Sequence, residues 1–171
     1  GSSDAAGMVR ELNRHCALGM SDEEMERSVA PLGADCPFFV RCKPVYAEGT
    51  GNVFSPANVN LGGMHILLVK PQESVSTREA YAMTQPRMPE TPLAKLVRHP
   101  IGEWRELVSN DFERSVFPAH PVIREIKEQL YAMGAAYASM SGSGSCVFGL
   151  FQGKPVTSGL FEGMFVYGAQ L

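Results

Sequence analysis

The chain has 171 residues, 44% of them hydrophobic and 19% charged, a balance that excludes a disordered chain. At this length folding buries about 70% of the unfolded surface, enough for one domain or two small lobes. Fifteen basic and eighteen acidic residues give a net charge of -3 with no block of like charge, which argues against a dedicated nucleic-acid binder.

A first helix is expected over 4–18, where Ala5, Met8, Val9, Leu12 and Cys16 fall on one face and Gly19 can end it in the left-handed conformation. Ser21 and Glu24 have the spacing of a capping box for a second helix that closes before Gly33. The loop Gly33-Ala34-Asp35-Cys36-Pro37 follows and leads into Phe38-Phe39-Val40. Residues 45–47 and 53–54 read as short strands around Gly49-Thr50-Gly51-Asn52. His65–Val69 reads as a buried strand that stops at Pro71. Ser76 or Thr77 can cap a short helix running through Met83. Prolines 86, 89, 92 and 100 mark residues 85–100 as a surface excursion. Residues 101–117 read as mostly helical with Trp104, Leu107, Val108 and Phe112 inward. A further helix starts at Pro121, buries Val122, Ile123, Ile126, Leu130 and Met133, and ends at Gly134. Strands over 135–140, 146–151 and 163–169 complete an α+β, two-layer chain.

The longest apolar run, Met64–Val69, is far short of the about 20 residues of a membrane span, and no secretory leader is visible. Cysteines 16, 36, 42 and 146 have no Cys-x-x-Cys spacing and read as free core thiols of a cytoplasmic protein. Histidines 15, 65, 99 and 120 have no ligand spacing and read as surface or core residues, and no metal site is expected. Glu48 and Glu73 have no evident partner.

Three segments carry candidate chemistry. Gly1-Ser2-Ser3 precedes a helix, where unpaired N–H groups and a partial positive charge attract an anion. The same tripeptide suits a plain capped helix start or the remnant of a tag. Ser141-Gly142-Ser143-Gly144-Ser145 lies between two strands and can form a ring of N–H donors for an anion, or simply a hairpin turn. Asp35 precedes an apolar run, so partial burial and a role as a general base are expected, against the plainer reading of a turn aspartate.

Together these segments resemble the GHMP kinases. Gly1-Ser2-Ser3-Asp4-Ala5-Ala6 is similar to the end of that family's glycine- and serine-rich phosphate loop. Leu32-Gly33-Ala34-Asp35-Cys36-Pro37-Phe38-Phe39 and Ala47-Glu48-Gly49-Thr50-Gly51 resemble the signature of the branch that acts on a cytidyl diphosphate sugar alcohol. Lys70-Pro71, Val75-Ser76-Thr77 and Asn110-Asp111-Phe112-Glu113 follow in the same order, and Met140–Gly149 looks like the family's third motif. The resemblance implies an N-terminal, ATP-binding lobe over 1–60, incomplete here, and a two-layer, ferredoxin-like C-terminal lobe over 61–171. It implies transfer of the γ-phosphoryl of ATP, with Mg2+, to the 2-hydroxyl of 4-diphosphocytidyl-2-C-methyl-D-erythritol, on the non-mevalonate route to isoprenoids. Asp35 matches the catalytic base. Gly1, Ser2 and Ser3 match residues around the ATP phosphates, as do Ser141, Gly142, Ser143 and Gly144. Thr77 matches a position near the substrate.

The chain also departs from the family. The glycine-rich start of the phosphate loop, the catalytic lysine and the adenine and cytosine pockets have no counterpart in it, and Asn52 stands where glutamate is usual. The expectation is therefore a family member whose 171 residues alone turn over little or no ATP and self-associate through an open sheet edge. The rival readings are another kinase of the family, of homoserine or mevalonate type, and an inactive α+β binding or interaction module.

Overall fold

The computed structural model describes residues 1–82, 84–85 and 88–171. It divides into two compact units, Gly1–Val59 and Asn60–Leu171. The end of the expected helix at Met83 and the first proline of the excursion, Pro86, lie outside the described residues.

In the first unit, helix α1 spans Ser2–His15, α2 Asp22–Val29 and α3 Phe38–Arg41, and a hairpin pairs β1 (Val45–Glu48) with β2 (Val53–Pro56). The α1 helix ends earlier than its apolar pattern suggests, with Ala17 and Gly19 both at positive φ. Asn13 closes the connection, since its Nδ2 donates to the Met20 carbonyl at 2.9 Å and its Oδ1 accepts from the Met20 N–H at 3.0 Å. The expected capping box is formed: Glu24 N–H donates to Ser21 Oγ at 3.2 Å, and Ser21 N–H donates to Glu24 Oε2 at 2.8 Å. Ala6, Met25, Val29, Cys36 and Val40 form the core, flanked by Ala5, Val9, Met20 and Phe39. The expected inner face of α1 is only partly inner. Ala6 makes the buried contact, while Met8 and Leu12 stay exposed, because the small Ala5–Ala6 side is what meets the core.

In the second unit, β3 spans His65–Lys70 and α4 Thr77–Ala82. Helices α5 (Leu93–Leu96), α6 (Trp104–Leu107), α7 (Glu113–Ala119) and α8 (Pro121–Ala132) follow, then strands β4 (Tyr137–Met140), β5 (Val147–Phe151) and β6 (Phe165–Gln170). The sheet is antiparallel throughout, in the order β4-β5-β3-β6. Within this unit the order is second-third-first-fourth, that of the ferredoxin-like arrangement. Its second crossover, 152–164, carries no helix, because Gly153, Pro155, Gly159 and Gly163 break any helical run.

Alternation along the strands sends Leu67, Val69, Val147, Phe151, Ala138 and Met140 to the inner face, where Ile123, Ile126 and Leu130 of α8 meet them. Gly149 allows this close approach: a Cβ there would lie 2.9 Å from the Phe151 ring and 3.3 Å from Leu130 Cδ2. The expected stripe of α8 is correct, with Val122 and Met133 at its half-buried margins. The stretch 101–117 is not one helix. A 3-10 turn and α6 give way at Val108 to extended backbone, and α7 begins only at Glu113. Asn110 causes the restart, its Oδ1 accepting the Phe112 N–H at 3.0 Å in a local turn that competes with helix. Cys36 is buried, but Cys16 and Cys42 are exposed, contrary to the expectation of core thiols, and all four cysteines are free. Among the described residues, no helix is long and apolar enough to cross a membrane.

Candidate functional site

The candidate residues fall in both units, and each unit presents its own part. In the first, Gly1 is the N-cap of α1, and Ser2 and Ser3 form its opening turn. A 14-residue helix carries a partial positive charge at this end. Asp35 sits in the turn between the 3-10 segment Ala30–Leu32 and α3. That turn is held by Cys36 N–H donating to the Gly33 carbonyl and Phe39 N–H donating to the Cys36 carbonyl, both at 3.1 Å. Its anchors, Cys36 and Val40, are buried, while Asp35 itself is exposed. This corrects the expectation of partial burial. Turning Cys36 into the core directs the preceding residue of the tight turn outward.

In the second unit, Ser141–Ser145 joins β4 to β5. Ser141 N–H donates to the Cys146 carbonyl at 2.8 Å, and Gly144 N–H donates to the Ser141 carbonyl at 3.0 Å. Gly142 and Gly144 have φ of 56° and 92°, in the left-handed region. A Cβ at Gly144 would also lie 2.9 Å from Met140 Sδ, so the loop needs glycine there twice over. Ser145 is 3% exposed, and its Oγ has no hydrogen-bond partner. Burial pushes the neighbouring Cys146 thiol above its usual value, and Lys70 opposes this.

Thr77, the first residue of α4, comes to this loop: its Oγ1 lies 3.4 Å from Ser143 Oγ. The helix is capped by Ser76, whose Oγ accepts the Glu79 N–H at 3.1 Å. The structure thus brings Thr77 and the serine-glycine loop together across 66 residues of sequence.

Two clusters make contacts that the sequence does not announce, although Asn110–Glu113 lies in a segment already singled out. Asn110 Nδ2 donates to the carbonyls of Met140 and Gly142, both at 2.8 Å. Glu113 is 8% exposed; its Oε1 accepts from Met140 N–H at 2.9 Å and Ser139 Oγ at 3.2 Å, and its Oε2 pairs with Lys127 at 2.6 Å. The hint was the Asn-x-x-Glu spacing just before a helix. The second cluster is His120, which bonds Glu73 through Nδ1 and lies 3.2 Å from Glu79 through Nε2. Glu73 therefore has a partner, and His120 is more than filler. The hydrogen bond to Glu73, whose carboxylate accepts from the ring, chiefly holds the imidazole's pKa above its ordinary value; burial opposes this and Glu79 reinforces it. Beside His120, Arg114 and Ser115 line a mostly apolar cleft of about 550 Å³.

Residues 93–157 match the family described as GHMP kinases C terminal. A 4-diphosphocytidyl-2-C-methyl-D-erythritol kinase of Parabacteroides distasonis is 51% identical over 174 residues, covering 100% of this chain and 64% of the relative. One of the same name from Bacteroides thetaiotaomicron is 55% identical over 152 residues, covering 89% of this chain and 56% of the relative. The crystal structure of a 4-(cytidine 5'-diphospho)-2C-methyl-D-erythritol kinase superposes with a TM-score of 0.73 at 26% identity, covering 87% of this chain and 55% of that one. A homoserine kinase from Cytophaga hutchinsonii shares the fold at a TM-score of 0.58 and 17% identity. The chain spans less than two thirds of the length of these relatives. Residues 93–157 thus carry a GHMP kinase C-terminal domain, and the chain over its whole length is similar to part of these kinases.

Proposed function

We propose that the protein carrying this chain transfers the γ-phosphoryl group of ATP to the 2-hydroxyl of 4-diphosphocytidyl-2-C-methyl-D-erythritol, in the cytoplasm, on the way to isoprenoid precursors. The observation that carries this reading is the 51% identity, across the entire chain, to a kinase named for that substrate. Phosphoryl transfer asks a protein for positioning, charge stabilisation and a proton acceptor rather than covalent chemistry. Asp35 is the proton acceptor: its carboxylate is exposed on a turn anchored by buried neighbours, so a substrate hydroxyl can reach it. Gly1, Ser2 and Ser3 hold ATP phosphates at the start of α1, where the helix end favours negative charge. Ser141, Gly142, Ser143 and Gly144 offer further donors to phosphate, and Thr77 meets the acceptor alcohol beside Ser143.

The residues fit this use. The unpartnered Ser145 Oγ and the left-handed glycines make a loop with polar capacity to spare. Among the described residues no group of three or more His, Cys, Asp or Glu is placed to cage a metal. Mg2+ would enter with the nucleotide, whose phosphate oxygens ligate it and whose charge it neutralises.

The test is Asp35→Asn in the whole gene product. Loss of the base lowers turnover about 10²- to 10⁴-fold with the fold retained. An unchanged rate removes Asp35 from the chemistry.

A further inference from the structure

A loop with glycines at φ of 56° and 92° does not choose one shape by itself. Its shape must come from outside, and the structure shows from where. Asn110 uses its whole side-chain amide on the task. Both Nδ2 hydrogens go to carbonyls that flank Ser141, those of Met140 and Gly142, each at 2.8 Å. The Oδ1 accepts the Phe112 N–H at 3.0 Å, which fixes which end of the amide is oxygen. One turn on, Glu113 takes the Met140 N–H at 2.9 Å. That N–H belongs to β4, an edge strand of the sheet, so the carboxylate stands in for a missing neighbouring strand. Lys127 and Ser139 hold the carboxylate in turn. Met140 is thus gripped at both its N–H and its carbonyl by one four-residue segment immediately before the loop begins.

We propose that Asn110 and Glu113 are positioning residues: they hold the backbone of Ser141–Ser145 in the shape that it presents to the ATP phosphates. The last clause rests on the function proposed above; the grip on the loop does not. Both side chains are engaged with protein groups. Asn110 carries the directional part, because it bridges the two carbonyls that bracket the first residue of the loop. Glu113 carries the anchoring part, because it ties the end of β4 to α7 and, through Lys127, to α8.

Asn110→Asp is the decisive variant. It keeps the size and the oxygen that takes the Phe112 N–H, but it turns a second oxygen toward two carbonyls. Amide hydrogen exchange and ATP kinetics are both read on the whole gene product. Exchange at Ser141 and Gly144 is expected to quicken about tenfold or more, while amides of β5 and α8 keep their wild-type rates. In the gene product kcat/KM for ATP is expected to fall about 10²-fold, the size of effect that a displaced binding group produces. Asn110→Ser, which keeps a hydroxyl for the Phe112 N–H, gives the same pattern at smaller amplitude and serves if the aspartate variant does not fold. Loop exchange at the wild-type rate in the folded variants overturns the proposal, and so does a loosened loop with kcat/KM for ATP unchanged. If the wild-type gene product phosphorylates none of the alcohols offered, the proposed function fails separately. The exchange rates then still decide whether Asn110 holds the loop.

Discussion

Glu113 is a carboxylate that sits inside the protein with every oxygen engaged. Its pairing with Lys127, 20% exposed on its side chain, means that removing one partner strands the other charge in a largely buried place. Glu113→Ala is expected to cost about 3–5 kcal/mol of unfolding free energy, read as a lowered urea midpoint with an unchanged slope. A loss below about 1 kcal/mol, the size of a surface ion pair, would contradict the buried-pair account. Residue-scale legibility follows sequence distance. Asp35, Thr77 and the serine-glycine loop stand out because each lies in a short local pattern of turn or cap residues. The Glu113–Lys127 and Glu113–Met140 contacts span 14 and 27 residues, and the Glu73–His120 bond spans 47. No local pattern announces such pairs, because folding alone brings them together. The exposure of Asp35 is hidden from the sequence for the same reason: its neighbours in sequence are apolar, but Cys36 and Val40 are the ones that turn inward.

At the scale of elements, the capping box of α2, the β1–β2 hairpin and the α8 stripe were legible because local signals and tertiary packing agree there. They disagree around 101–119, where the side chain of Asn110 offers the backbone a turn and divides an apolar pattern into two short helices. They disagree in α1 as well, since its larger apolar residues have no partner within the first unit and remain exposed. His120 links three pieces of the second unit: the segment before α4 through Glu73, α4 itself through Glu79, and the junction of α7 and α8 on which it sits. Its imidazole is held above the ordinary 6.5, chiefly by Glu73. A raised folded-state value stabilises the protein fully below the unfolded value and loses that contribution as pH rises through the folded value. The melting temperature of the chain is therefore expected to fall as pH rises above 6.5, and His120→Gln is expected to flatten that slope. Equal slopes in the two proteins would show that the bridge is not coupled to folding.

At the scale of the whole molecule, the α+β class and the antiparallel sheet follow from strands and helices that interleave with short turns between them. The second crossover goes without a helix because of its glycines and Pro155, and no local rule says which crossover of a sheet will do so. Function is less a matter of fold than of the site, since a homoserine kinase shares the architecture at 17% identity. What separates the cytidyl-alcohol reading from that relative is the Gly33–Phe39 run around Asp35, together with identity near one half to kinases named for that alcohol. The most direct measurement is a substrate panel. The whole gene product is given ATP with 4-diphosphocytidyl-2-C-methyl-D-erythritol, homoserine or mevalonate, and ADP release and the new phosphate ester are followed. The account predicts phosphorylation of the cytidyl alcohol alone, and phosphorylation of homoserine or mevalonate in its place, or of none of the three, would contradict it.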